Sequence, residues 1–130
     1  GNAMAIETPN YPDHAGLATL DSRMVDPDRL PWTPTRFEGV SVKVLMEDKE
    51  TGLMTALFRW APGAVLPFHE HTEIEQTFML EGRLEDDQGS IGPGEYVWRP
   101  AGSRHVARAP EGALMLGIFH RPNQFLDENA

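Results

Sequence analysis

From Gly39 onward, glycines and prolines cut the sequence into short pieces, and that punctuation constrains the fold more than any other feature. Turn signals stand at Glu81-Gly82, Gly92-Pro93-Gly94, Pro100-Ala101-Gly102 and Pro110-Glu111-Gly112, and no helical run of ordinary length fits between them. Val40, Val42, Val44 and Met46 alternate with Ser41 and Lys43, the two-residue period of a half-buried strand. A polar turn over 48–52 leads into a second run over 53–60, which makes a hairpin. Runs over 74–80, 94–99, 104–108 and 113–120 continue the series, so the expected class is all-β, an antiparallel sandwich or barrel.

The first third differs. Pro9, Pro12, Pro27, Pro31 and Pro34 fix φ and lack the N–H that a helix interior or a central strand needs, so an arm or edge segment is expected there. Gly1, Asn2 and Ala3 precede the first methionine and read as an expression remnant. The expected division is the remnant and proline-rich arm over 1–38, a barrel over 39–122 and a tail over 123–130. With 130 residues, 40% hydrophobic and 24% charged, the chain has material for one globular domain with its own core.

Composition narrows the function. A net charge of −9 with no local basic patch repels a phosphate backbone, so no nucleic-acid partner is expected. No stretch of about eighteen apolar residues suggests a membrane span, and no basic region followed by an apolar run suggests export, so a cytoplasmic location is the default expectation. Without cysteine there is no thiolate nucleophile and no zinc finger, and any metal must be held by nitrogen and oxygen. No glycine-rich phosphate cradle or serine nucleophile elbow is present.

The informative residues are His69, His71, Glu75 and His105. On a strand, residues two apart share a face, so His69 and His71 project together while Glu70 points away. Glu75 stays in phase if the chain only bends after His71, with Glu73 as its competitor. His105 must arrive on another strand. An isolated His-x-His pair is more often a surface feature than a chelator, but this pair is not isolated. His14 and His120 read as solvated. Glu81, Glu85, Asp86 and Asp87 read as a solvated acidic turn, and Arg59, Arg83, Arg99 and Arg104 as surface partners for carboxylates, one of which could orient an anionic ligand. Thr77 and Met79, in phase with Glu75, are the expected pocket residues.

Gly63, His69, His71, Glu75 and Gly82, followed by Gly94, Pro100, Gly102 and His105, match the two motifs of the cupin superfamily in residue type and spacing. The chain therefore resembles an RmlC-like, single-domain cupin. One departure is Ala109, where the second motif commonly ends in asparagine. The resemblance implies a double-stranded β-helix (jelly-roll barrel) and a metal held by His69, His71, Glu75 and His105. The texture of residues 52–80 is most similar to ChrR-like cupins, a group that includes the metal-binding sensory half of an anti-sigma factor. The helical zinc domain of such a factor needs length and cysteines that this chain lacks, so an intact anti-sigma factor is not expected.

Four protein ligands would leave an octahedral ion two open positions, where a small-molecule substrate and dioxygen or water could meet. One divalent transition metal per chain is expected, with iron, zinc, manganese and nickel all compatible with the ligand set. With iron the implied activity is dioxygenase-like, on a chelating diketone, enol or hydroxylated carbonyl. The alternative is a non-catalytic sensory or regulatory module. A homodimer is expected, with the segment over 8–34 placed to reach a partner.

Overall fold

The computed structural model describes residues 5–126 as two antiparallel sheets facing each other. The chain runs through β1 (Ile6–Glu7), β2 (Thr33–Pro34), β3 (Val40–Asp48), β4 (Met54–Trp60), β5 (Ala64–Glu70) and β6 (Glu75–Gly82). It continues through β7 (Leu84–Asp86), β8 (Gly89–Ile91), β9 (Tyr96–Arg99), β10 (Arg104–Ala109), β11 (Ala113–Phe119) and β12 (Gln124–Phe125). One sheet has the order β1-β3-β4-β11-β6-β9, with β2 also on β3, and the other has the order β12-β5-β10-β7-β8.

The chain changes sheets between β6 and β7, and Gly82 is what permits it. Gly82 has φ +74, and a Cβ there would lie 2.1 Å from the Gly112 carbonyl oxygen. Only glycine combines that backbone angle with so close an approach.

Inward side chains divide the interior lengthwise. Val40, Trp60, Ala64, Ala107, Ala109, Ala113, Met115 and Met79 form an apolar cluster toward one end, and Val40, Trp60, Ala107 and Met115 of it also face an internal cavity. Along β6 the inward residues run Glu75, Thr77, Met79, so one strand passes from a carboxylate through a hydroxyl to a fully buried thioether. Burial of a side chain such as Met79 contributes roughly 1.5–3 kcal/mol, and the packed end anchors the strands whose other ends carry polar groups.

The proline-rich segment is an edge structure. Its short pieces β1 and β2 both pair with β3 of the same chain, and 3-10 turns at Pro12–His14 and Pro27–Arg29 lie between them. Lys43, on the outward face of β3, is buried beneath this segment, where its ammonium donates to the Pro27 carbonyl at 2.7 Å and lies 4.8 Å from the centre of the Trp32 ring. The simple alternation of β3 breaks at a register shift between Val44 and Met46. No helix among the described residues is long and apolar enough to cross a membrane.

Candidate metal centre

The end of the interior opposite the packed core carries the histidines. His69 and His71 flank Glu70, and each ring is 1% exposed, whereas Glu70 faces out and pairs with Arg104 at 2.9 Å. His105 stands directly across from His69 in the β5–β10 ladder. Between these partners and the next pair, Leu66 and Ala107, β5 holds Pro67 and Phe68 where β10 holds only Val106. The extra residue is a bulge, and proline suits it because it has no N–H to give a ladder. The three rings lie 4.5–4.9 Å apart between centroids, and their ligand nitrogens fall within 4.8 Å of one another.

What the rings can offer is set by their other nitrogens. His69 Nδ1 lies 2.8 Å from the Pro67 carbonyl, which only accepts, so this nitrogen carries the proton. His105 Nδ1 lies 2.8 Å from Asp86 Oδ2 and donates to it. His71 Nδ1 lies 2.9 Å from Ser103 Oγ, whose own proton goes to the Pro100 carbonyl at 2.7 Å, so Oγ accepts from the ring. The turn holding Ser103 is itself pinned, because His71 N–H donates to the Ser103 carbonyl and Gly102 N–H to the His71 carbonyl. With Nδ1 engaged in each ring, Nε2 is the nitrogen left to face the shared space, the orientation that metal ligation requires.

Glu75 opens β6 and brings Oε2 to 2.6 Å from His71 Nε2. That is the distance of an ion pair, yet the two atoms are not aligned for a hydrogen bond, and both are closed off from solvent without a hydrogen-bond partner. Buried polar atoms left unsatisfied in this way are costly unless something else occupies the point on which they converge. A divalent cation satisfies all of them at once, and the donor set of imidazole nitrogens with one carboxylate suits a transition metal. The cluster of His69, His71 and His105 is able to hold such an ion.

Electrostatics agree with ligands kept ready for a cation. Burial, then the nearby Arg99 guanidinium, pushes His105 down to about 4 despite its bond to Asp86. His69 is lowered by burial, which outweighs its bond to Pro67. Burial alone would raise Glu75, but His71, Arg99 and His69 outweigh it and hold the carboxylate below its usual value. Asp86 behaves alike: desolvation raises it, and His105, the Gln88 N–H and Arg99 bring it down further. Neutral imidazoles beside ionised carboxylates are the protonation states that metal binding needs.

A cavity of about 450 Å³ opens from this centre toward solvent. His69, Glu75 and His105 lie on its wall with Thr77, Arg99, Phe58, Phe119 and Gly117. Of the two expected pocket residues, Thr77 lines the cavity; Met79, in the same phase, belongs to the packed core and does not. Glu73 lies in the link after His71 and is not on the wall. His14 bonds the Met24 carbonyl within the N-terminal segment, His120 is exposed, and neither joins the cluster.

Three residues that the sequence does not single out as functional complete the centre. Asp86 is not solvated turn charge: it is 6% exposed, and its Oδ2 also accepts from Arg99 Nη1 at 2.8 Å. Its signal is the phase it shares with the buried Leu84 on the three-residue β7. Arg99 is not a surface arginine, since the register sets it opposite Glu75 on the inward face. Ser103 follows the Pro100-Ala101-Gly102 turn and has no sequence signal of its own. Residues 124–125, in the expected tail, form β12 against β5, where the Phe125 ring covers His69 at 5.2 Å.

Known structures share this fold. The acetylacetone dioxygenase from Acinetobacter johnsonii is similar in structure, with a TM-score of 0.70 and 21% identity over 84% of this chain and 79% of that one. The polyketide cyclase RemF from Streptomyces resistomycificus gives a TM-score of 0.66 and 20% identity over 83% and 89%. The complex of SigE with the anti-sigma ChrR from Rhodobacter sphaeroides gives 0.61 and 21% over 71% of this chain and 50% of that one. Likeness at these identities shows the fold, the RmlC-like cupin barrel. No curated protein matches the sequence. The model of the ChrR cupin-like domain matches residues 21–124, which include both sheets' central strands together with His69, His71, Glu75 and His105. The chain therefore belongs to the ChrR cupin-like domain family.

Proposed function

We propose that this cupin is a metal-dependent oxygenase of small chelating molecules, a diketone, enol or hydroxylated carbonyl, with His69, His71, His105 and Glu75 holding one divalent ion. The observation that supports this reading is the position of the histidine cluster: His69 and His105, with Glu75, line an open cavity of about 450 Å³, most of whose other wall is apolar. A metal serving only to hold the barrel shut would need no such space beside it.

When bound, the metal supplies the redox and Lewis-acid centre. The chain's own residues do the rest. Pro67, Ser103 and Asp86 hold the Nδ1 protons and keep the three Nε2 atoms aimed at one point. Glu75 offsets part of the cation's charge where water cannot. Phe58 and Phe119, 5.6 Å apart between ring centroids, form an apolar wall against the hydrocarbon part of a ligand and exclude water from it. The similarity to an acetylacetone dioxygenase supports the reaction class.

A second reading, a ligand-sensing module without turnover, is favoured by the family match to the ChrR cupin-like domain. Oxygen uptake by iron(II)-loaded protein over a panel of diketones, hydroxylated ketones and 2-oxo acids separates the two. Uptake that His71→Ala abolishes supports the oxygenase. No uptake with any member, together with stoichiometric zinc that raises the melting temperature, supports the sensor and overturns the oxygenase.

A further inference from the structure

The geometry points to Arg99 as the residue that selects the ligand, and to a small carboxylate with an apolar body as the class it selects. This rests on the metal reading above and deepens it.

Arg99 stands across from Glu75 on β9, with its side chain 14% exposed on the cavity wall. A guanidinium has five N–H donors in a planar fork. Among the described residues only Asp86 takes one, through Nη1 at 2.8 Å. The Asp86 oxygen that accepts it is the same one that accepts from His105 Nδ1, so its charge is already shared. The remaining donors of Arg99 have no protein acceptor among the described residues, in a cavity whose wall around them is largely aromatic and aliphatic. Arg36, the other arginine on the lining, is exposed and stacks over Phe37 and Phe125, at 4.8 Å and 4.9 Å from their ring centres.

Charge balance leads to the same ligand. The charged side chains at the inner end are the carboxylates of Glu75 and Asp86 and the guanidinium of Arg99. A divalent ion added to these leaves one excess positive charge in a poorly solvated space, which is unfavourable until a single negative charge enters. A carboxylate meets the open side of the guanidinium with two parallel hydrogen bonds, the arrangement in which arginine is most selective. A carbonyl or hydroxyl next to that carboxylate then faces the histidines, and the apolar remainder lies against Phe58 and Phe119.

The test uses zinc-loaded protein, so that binding is read without turnover, and two probes of nearly equal shape: 4-methyl-2-oxopentanoate and 5-methyl-2,3-hexanedione, which differ by a carboxylate against an acetyl group. Zinc content is measured first, on the parent chain and on His71→Ala. Absence of stoichiometric zinc in the parent overturns the metal reading separately, and the Arg99 comparison is then made on metal-free protein. By calorimetry the parent should bind the oxo acid at least about ten-fold more tightly than the diketone. Arg99→Gln should lose at least about ten-fold on the oxo acid and less than about three-fold on the diketone, with Arg99→Lys recovering part of the loss. If Arg99→Gln does not hold zinc, the parent's preference and Arg99→Lys decide. Equal affinity of the parent for both probes overturns the proposal, as does a loss in Arg99→Gln that is the same for both.

Discussion

Asp86 Oδ2 and His105 Nδ1 lie 2.8 Å apart, joining the short β7 to β10 and fixing the face that the imidazole turns toward His69 and His71. A carboxylate in that position makes the opposite nitrogen a better donor and stops the ring from turning. Asp86→Asn keeps the size but loses the charge and leaves the amide orientation free to present either donor or acceptor. Zinc affinity, measured by chelator competition, should fall about 10–100-fold, with melting temperature of the metal-free chain changed far less. An unchanged zinc affinity would show that Asp86 serves the barrel and not the centre.

The difference between Asp86 and its neighbours also explains what the sequence can and cannot say. His69, His71, Glu75 and His105 are legible because their spacing is fixed by a two-residue period and by turns that glycine and proline mark. Asp86 stands in a run with Glu85 and Asp87, and composition gives all of them the same reading. Only a strand three residues long, with Leu84 inward beside it, separates the buried carboxylate from the exposed ones. Arg99 is hidden for another reason, since its inward direction follows from pairing with Glu75, a contact between strands that no local pattern reports. Thr77 and Met79 share a phase, and the phase is correct for both; Thr77 reaches the cavity and Met79 does not, although its cross-strand partner Met115 does, so which inward side chain is covered depends on packing across the whole barrel.

Acid should weaken the metal-free fold in a defined window. In the unfolded chain His69 and His105 protonate as pH falls through about 6.5. In the folded chain His105 stays neutral until about 4, and His69 is also lowered. Between these values the unfolded state binds more protons, so stability drops as pH falls, by up to about 3 kcal/mol for a group such as His105. Glu75 and Asp86, whose folded values are depressed, contribute stability above the ordinary carboxylate range and lose it at still lower pH, the same direction. Urea midpoints of zinc-free protein should therefore decline from about pH 7 to about pH 4, less steeply in His105→Gln. A flat profile would mean that the rings are open to water without the metal.

Gly82 offers a test of the fold apart from the chemistry. Alanine there must adopt φ +74 and place Cβ against the Gly112 carbonyl and the Ala113 Cα, which a Cβ would approach to 2.1 Å and 2.8 Å. Backbone is on both sides, so no side chain can move away to relieve it. Gly82→Ala should cost more than about 2 kcal/mol, seen as a melting temperature lower by roughly 10 °C in zinc-free protein. Gly16, with nothing within 4 Å of its Cβ position and no positive φ, is the control, and Gly16→Ala should be within about 0.5 kcal/mol of the parent. Similar melting temperatures for the two variants would refute the claimed close passage between β6 and β11.

Glu75 separates a ligand carboxylate from one that only neighbours the histidines. Its Oε2 and His71 Nε2 are 2.6 Å apart, buried and not hydrogen-bonded, which makes sense if both face a cation and leaves an unexplained cost if they do not. Glu75→Gln retains one carbonyl oxygen and removes the charge. If Glu75 is a ligand, zinc or iron(II) affinity falls by at least about ten-fold, while the metal-free protein loses only the modest stability that the depressed carboxylate contributes. If the carboxylate only pairs with His71, the order reverses: metal affinity is nearly unchanged and the metal-free fold weakens, because removing one member of a buried pair leaves the other uncompensated. Chelator competition and thermal melting on the same variant therefore give opposite patterns for the two roles, and the first pattern is the one expected.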